Sequence, residues 1–244
     1  MRLIVFATCL AAGLFSAGSF VHAALFVGFE PPTYSVGGLN GQDSWTSAAA
    51  TVQSSVVLAG TQSAANNVNN GIAERSVNGA GFADKTTVSF LERQSIVSQY
   101  SEFTLLNSNG GRYVQAGVQE LFVPNSTVYW YSGGVLNQRN NGLSVVRDVT
   151  YTVTFALDFT AQTWMLSLDD GVTVQNSPVL AFNSPTTVAE AEGGLFRWQQ
   201  HSGNFIDNLS IAPSPVPEPA TTALLVTALM GVVATRAGRR TRLV

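Results

Sequence analysis

From Tyr151 to Phe159 the chain alternates: Tyr151, Val153, Phe155, Leu157 and Phe159 are apolar, with Thr152, Thr154, Ala156 and Asp158 between them. Successive side chains on a strand point to opposite faces, so a period of two predicts a strand with one face in a core. Gln162 to Leu168 repeats the pattern through Trp164, Leu166 and Leu168, after a turn at Thr160-Ala161, and Asp169-Asp170-Gly171 predicts the next turn. Less regular alternation predicts further strands at 25–29, 51–58, 86–91, 102–106, 112–122, 127–131, 194–198 and 204–211. The Asn- and Gly-rich gaps at 66–71, 107–111, 133–134 and 137–142 supply residues that accept positive φ. No stretch of the body follows a helical period, so no helix is expected there. About ten strands at this spacing, without a repeat of blade length, predict an all-β sandwich or jelly roll rather than a propeller.

The two ends break this pattern. Met1-Arg2, the apolar stretch Leu3 to Phe15 and Val21-His22-Ala23 have the order of a secretory signal peptide, with cleavage expected after Ala23. At the other end, prolines 213, 215, 217 and 219 predict a stiff extended linker. The sixteen residues Ala220 to Thr235 that follow carry no charge, and as a helix they would span roughly 24 Å. With Ala237 and Gly238 the run approaches the ~20 residues that cross a bilayer. Arg236, Arg239, Arg240 and Arg242 beyond it resist translocation, which orients the body outside and the tail inside. The expected order is signal peptide 1–23, sandwich 24–212, linker and motif 213–219, transmembrane helix 220–238 and basic tail 239–244.

Charge and cysteine count then narrow the function classes. The chain's formal charge is −3, but residues 24–217 hold fourteen acidic and seven basic side chains, a charge of −7. An acidic body argues against nucleic acid and anionic lipid as partners, both of which need a basic patch, and leaves neutral glycans open. The one cysteine, Cys9, lies in the expected leader. The mature body therefore has no disulfide, thiolate metal site or cysteine nucleophile.

Candidate chemistry is sparse. Glu190 and Glu192 would share a strand face if 188–192 is extended, the spacing that a polysaccharide-degrading enzyme's carboxylate pair requires. The competing reading is a solvated loop or edge. His201, the only histidine left after leader removal, reads as a turn residue, and one histidine does not build a zinc site. Asp207-Asn208 either anchors a turn or offers hard oxygens to Ca²⁺, with the anchor favoured because no calcium-loop motif accompanies it. Aromatic rings that stack on sugars are the remaining signal. In Val128-Tyr129-Trp130-Tyr131 neighbouring rings must fall on opposite faces, which makes Tyr129 or Trp130 a glycan-binding candidate, with Trp198 beside Gln199 and Gln200 a second. Trp45 and Trp164 rank lower, and core packing is the alternative for every ring.

The C-terminal order of Val216-Pro217-Glu218-Pro219, apolar helix and arginine cluster resembles the PEP-CTERM sorting signal of Gram-negative bacteria. That resemblance implies recognition by an exosortase, with residues 216–219 as substrate, transient anchoring in the inner membrane, and delivery to the cell surface or exopolysaccharide. Phe29-Glu30-Pro31-Pro32-Thr33-Tyr34, Gly41-Gln42-Asp43-Ser44-Trp45, the hairpin from Val153 to Gly171, and Ile206-Asp207-Asn208-Leu209-Ser210 resemble the concanavalin A-like lectin/glucanase jelly roll. This implies two curved antiparallel sheets whose concave face often binds carbohydrate. The chain departs from the glucanases in lacking a Glu-x-Asp-x-Glu or Glu-x-Asp-x-x-Glu strand. A non-enzymatic structural or adhesive role with weak glycan binding is the leading expectation, a hydrolase on the same fold the alternative, and a passive display domain a third. Cell fractionation is expected to recover the chain with the membrane or beyond it, its N-terminus at Ala24; intact, uncut polypeptide free in the cytosol would overturn this organisation.

Overall fold

A computed structural model describes residues 25–66, 68–95, 101–119, 125–137, 142–200 and 203–214. The leader, the sorting motif Val216, Pro217, Glu218 and Pro219, the apolar run, the tail arginines and His201 lie outside the described residues. Within them, no helix is long and apolar enough to cross a membrane.

The first half contributes β1 (Leu25–Val27), β2 (Gly37–Gly38), β3 (Trp45–Ser47), β4 (Ala50–Gln53), β5 (Ser63–Asn66), β6 (Gly71–Ser76), β7 (Lys85–Gln94), β8 (Ser101–Leu106) and β9 (Arg112–Gln119). The second contributes β10 (Asn125–Ser132), β11 (Val135–Asn137), β12 (Ser144–Val146), β13 (Thr150–Asp158), β14 (Thr163–Asp169), β15 (Val174–Asn176), β16 (Leu180–Ala181), α1 (Val188–Glu192), β17 (Leu195–Gln200) and β18 (Asn204–Pro213). They form an all-β sandwich of two antiparallel sheets. The first runs β15-β14-β13-β7-β18-β5-β4-β2, with β1 on β18 and β16 on β14; the second runs β11-β10-β9-β8-β17-β6-β3, with β12 on β10.

The alternation read from the sequence sets the faces. Val153, Phe155 and Leu157 of β13 and Trp164, Leu166 and Leu168 of β14 are buried and face the second sheet. Phe90 of β7 joins the sheets, its ring centroid 4.3 Å from Phe103 of β8 and 5.6 Å from Phe196 of β17. Each such ring removes 150–250 Å² from water, and without disulfides in the body this burial is the main source of stability.

The first sixty residues are clasped by the motif residues themselves. Phe29, at φ 52°, ends β1 earlier than the alternation predicts. Its ring lies 5.1 Å from Tyr34 and 5.7 Å from Trp45. Trp45 Nε1 donates to Tyr34 Oη, which donates to Asp43, and Asp43 pairs with Arg75 at 2.8 Å. Gln42 bonds the main chain of Ser35 in both directions. Glu30 accepts from Thr61 and Gln62, and buried Asp207 accepts from the N–H groups of Ala59 and Asn208. Asp207 therefore anchors a turn, its oxygens taken by backbone donors.

A helix and eight strands depart from expectation. Residues 188–192, expected as loop or strand, form α1, because Thr187 caps it and Glu190 returns the bond to the Thr187 N–H, a reciprocal capping box. The short strands β2, β3, β5, β6, β11, β12, β15 and β16 were not predicted: most are two to four residues long, too short to display a period. β6, at six residues, alternates around Arg75 and Glu74 rather than around apolar positions.

One inward position is acidic. Glu92 of β7 is 3 % exposed and accepts from Ser101 Oγ at 2.9 Å and Gln94 Nε2 at 3.3 Å. It borders a cavity of about 10 Å³, room for one water, lined otherwise by Phe103, Val118, Val128, Val153 and Leu168 among others. Burial pushes its carboxyl up to about 7 from 4.5, the two hydrogen bonds opposing less strongly. The folded state then holds a proton that the unfolded chain releases, so stability is greatest below the unfolded value and falls as pH rises through the folded one. Burial likewise pushes the Asp207 carboxyl up to about 7, so denaturant titrations are expected to lose stability between pH 5 and pH 8 from both groups, with Glu92→Gln removing only the Glu92 share, on the order of 3 kcal/mol. A slope unchanged in the variant would exclude Glu92 as one of its sources.

Candidate functional site

The outer face of the second sheet carries a connected polar arrangement centred on Glu102. Alternation on β8 turns Phe103 and Leu105 inward, leaving Glu102, Thr104 and Leu106 outward. Register then aligns outward residues into rows. Ile72, Gln199, Glu102, Gly117 and Tyr129 lie side by side across β6, β17, β8, β9 and β10. One step along, Thr46, Glu74, Arg197, Thr104 and Gln115 form a second row from β3 to β9.

Glu102 is the centre of the first row, 3 % exposed although it points away from the core. It accepts from Gln115 Nε2 at 2.8 Å, Tyr129 Oη at 3.1 Å and Thr104 Oγ1 at 3.1 Å. Gly117 makes the tyrosine contact possible: a Cβ there would stand 2.5 Å from Tyr129 Oη and 2.1 Å from the Ser101 carbonyl. Tyr129 thus lies across the glycine to reach the carboxylate. In the second row Arg197 and Glu74 form an ion pair at 2.6 Å, both partly exposed. Tyr131, two residues beyond Tyr129 on the same face, is half-buried and packs edge-on against it, centroids 6.5 Å apart at 81°. Exposed Leu136, paired with Tyr131, and exposed Ile72 mark the two sides of the face.

This arrangement corrects the aromatic candidates. Trp130 and Trp198 are 3 % and 0 % exposed in the inter-sheet core, because their positions alternate with the outward ones, so neither offers a ring face to a sugar. Trp45 and Trp164 are core rings as well. Tyr129 does lie on the outer face, but its ring is covered and its hydroxyl serves Glu102. Of the described rings on this outer face, Tyr131 is the half-buried one, named in the sequence only as a neighbour. Glu102 was missed because a search for paired carboxylates passes over one glutamate in a strand reading Ser-Glu-Phe-Thr-Leu-Leu. The signal was there: a charged residue alternating with core positions.

The other acidic candidates are occupied elsewhere. Glu190 caps α1 and accepts from Asn109 Nδ2 at 3.1 Å, and Glu192 accepts from the Gly81 N–H at 3.0 Å. Their helix and its contacts, not a shared strand face, place them, which corrects the reading of a catalytic pair. Asp169 and Asp170 accept from the N–H groups of Gly171, Val172 and Thr173, as turn residues do. Among the described residues no group of three or more His, Cys, Asp or Glu side chains could hold a metal ion. Tyr129→Phe is expected to destabilise the fold by roughly 1–3 kcal/mol, the range for leaving a buried polar group short of a partner. Gly117→Ala should cost more, since its methyl group displaces the ring; a Gly117→Ala protein of wild-type stability in urea would contradict this packing.

No family model matches the chain, and no curated protein matches it. Among solved structures, a sialidase superposes with a TM-score of 0.51 at 12 % identity over 70 % of this chain, which spans 17 % of that protein's length. Lectin II from Ulex europaeus superposes at 0.48 and 6 % identity, covering 80 % of this chain and 100 % of the lectin. The catalytic domain of a glycoside hydrolase family 131 protein from Coprinopsis cinerea superposes at 0.45 and 10 % identity, covering 69 % of this chain and 78 % of that domain. At such identities what the chain shares with the sialidase is a fold, the two-sheet β sandwich.

Proposed function

We propose that this chain is an exported, surface-displayed sandwich of the concanavalin A-like type that binds neutral glycan along the outer face of its second sheet without cleaving it. The observation that carries the reading is Tyr131: a half-buried ring packed edge-on against Tyr129, on the face where the row Gln115, Thr104, Arg197 and Glu74 runs away from it across β9, β8, β17 and β6. An aromatic face covers the apolar side of a pyranose, while amides, hydroxyls and charged groups bond its hydroxyls. An acidic body suits a ligand without negative charge.

Binding rather than hydrolysis is favoured by the strand at the centre of the face. Of the outward residues of β8, Glu102 is the one carboxylate; Thr104 and Leu106 follow it, where a glycosidase pair needs two carboxyl groups about 5–10 Å apart. Export through the signal peptide, a transient hold in the inner membrane, and release by an exosortase acting at residues 216–219 would carry this face to the exopolysaccharide, where such ligands are abundant.

Glycan-array screening followed by calorimetry tests the proposal. Tyr131→Ala is expected to weaken binding at least tenfold while circular dichroism stays unchanged, and no reducing ends are expected from any polysaccharide bound. Binding indifferent to Tyr131→Ala would overturn the assignment of the face. Sugar release abolished by Glu102→Gln would replace it with a hydrolase.

A further inference from the structure

The first sheet has an outer face of its own, and register builds a row across it. Core side chains on its strands, among them Val27, Leu209, Phe90, Val153 and Leu166, send the alternate positions outward. Phe26 of β1, Ser210 of β18, Ser89 of β7, Thr154 of β13, Ser167 of β14 and Asn176 of β15 then stand side by side. Five strand spacings make this row roughly 24 Å long. None of its members is charged, and among the described residues the hydroxyls of Ser210, Ser89, Thr154 and Ser167 have no protein partner.

The neighbouring row, Ala212, Thr87, Ala156 and Met165, is uncharged as well. On the other side lie Leu91, Thr152, Asp169 and Val174, which makes Asp169 the charge nearest the row, two residues along β14 from Ser167. Lys85 with Asp158, 3.5 Å apart, and Arg93 with Asp148, 3.2 Å apart, lie toward the two ends of the strands. Near β1, Glu30 is engaged by Thr61 and Gln62, and Asp207 is fully buried.

Phe26 gives the row a platform. It is 64 % exposed, the one aromatic among the exposed large hydrophobics of the described residues. Its ring lies along Gly28: a Cβ there would stand 3.1 Å from Phe26 Cε1 and 3.5 Å from Cζ, so the glycine leaves room for the ring. Asn208 Oδ1 is 3.4 Å from the same point, which sets an amide near the ring. A partner that covers Phe26 removes apolar surface from water. A charged polymer finds no counter-charge along the row, and a body of formal charge −7 repels an anionic one. An apolar protein surface would leave the row's hydroxyls and amide without hydrogen bonds. A neutral polysaccharide suits both parts, because the ring covers the apolar side of one pyranose while the hydroxyls bond the sugars that follow.

We propose that the outer face of the first sheet is a second glycan-binding site, where a neutral polysaccharide lies across the strands from Phe26 towards Asn176. Phe26 is its stacking ring, and Asn208, Ser210, Ser89, Thr154 and Ser167 are its polar contacts. The site takes the ligand class proposed for the second sheet but stands on different residues, so either can fail without the other. With sites on opposite faces of one sandwich, a single molecule bridges two polysaccharide strands, and its avidity for a matrix exceeds the affinity of either site.

Affinity electrophoresis of the intact chain through gels containing dextran, laminarin or galactomannan tests the site, with circular dichroism confirming the fold of each variant. Tyr131→Ala is expected to stay retarded by at least one of these polysaccharides, and adding Phe26→Ala to lower the remaining affinity at least tenfold. Thr154→Lys, which sets a long charged side chain in the middle of the row, should reproduce that loss in the same background. Light scattering reads the bridging: the wild type is expected to cloud a solution of the retarding polysaccharide, and neither Phe26→Ala nor Tyr131→Ala to do so. Retardation abolished by Tyr131→Ala alone, or left indifferent to Phe26→Ala and Thr154→Lys in that background, would overturn the second site and leave the first. Retardation lost with Phe26→Ala alone and untouched by Tyr131→Ala would keep the second and overturn the first. Unretarded migration of the wild type in all three gels would overturn both.

Discussion

The ring of Phe90 is the contact on which the architecture turns. It leaves the first sheet from β7 and meets Phe103 and Phe196 of the second, with Phe155 of β13 5.9 Å away on its own side. A chain whose body lacks cysteine has only such burial to oppose the entropy of ordering its residues. The sheets meet where these rings interdigitate, and everything outward is fixed by that meeting. Phe103 and Phe196 cannot turn inward without Glu102 and Arg197, their neighbours in sequence, turning out.

This alternation accounts for what sequence reasoning reached and what it did not. The meander of β13 and β14 was legible because nine and seven residues alternate without interruption, and both strands fall within one residue of expectation. The β8, β17 and β18 strands were found for the same reason. Eight shorter or charge-bearing strands left no periodic trace. The capping box at Thr187 and Glu190 was readable in principle, as a threonine three residues before a glutamate, but a five-residue helix has too little length to show a helical stripe. The motif residues Phe29, Tyr34, Gln42, Asp43 and Trp45 have a structural role of their own: they clasp the first strands.

The site was less legible than the fold, for a physical reason. Sequence puts Tyr129, Trp130 and Tyr131 on alternating faces without saying which face is the core. Trp130 goes in because its partner across the ladder, Ala116, lies on the inward face of β9, leaving space for the larger ring. The tyrosines go out on either side of it. Glu102 needs three partners from two other strands and its own, a constellation that register creates and linear spacing does not contain.

Register also explains why the outer face holds its shape. Tyr129 spans the gap above Gly117 and is fixed at its hydroxyl by Glu102, while Glu102 is held in turn by Gln115 and Thr104. Tyr131 stands against a ring that cannot swing away. Under the proposed function, a tyrosine so supported would lose little rotamer freedom on binding, so less affinity would go to ordering it. Below the same strand Ser101 bonds the enclosed Glu92, so β8 is tied on both faces at adjacent residues. The tie of the outer face through Glu102 and the burial of an acid beneath it are two consequences of one alternating strand whose core positions are Phe103 and Leu105.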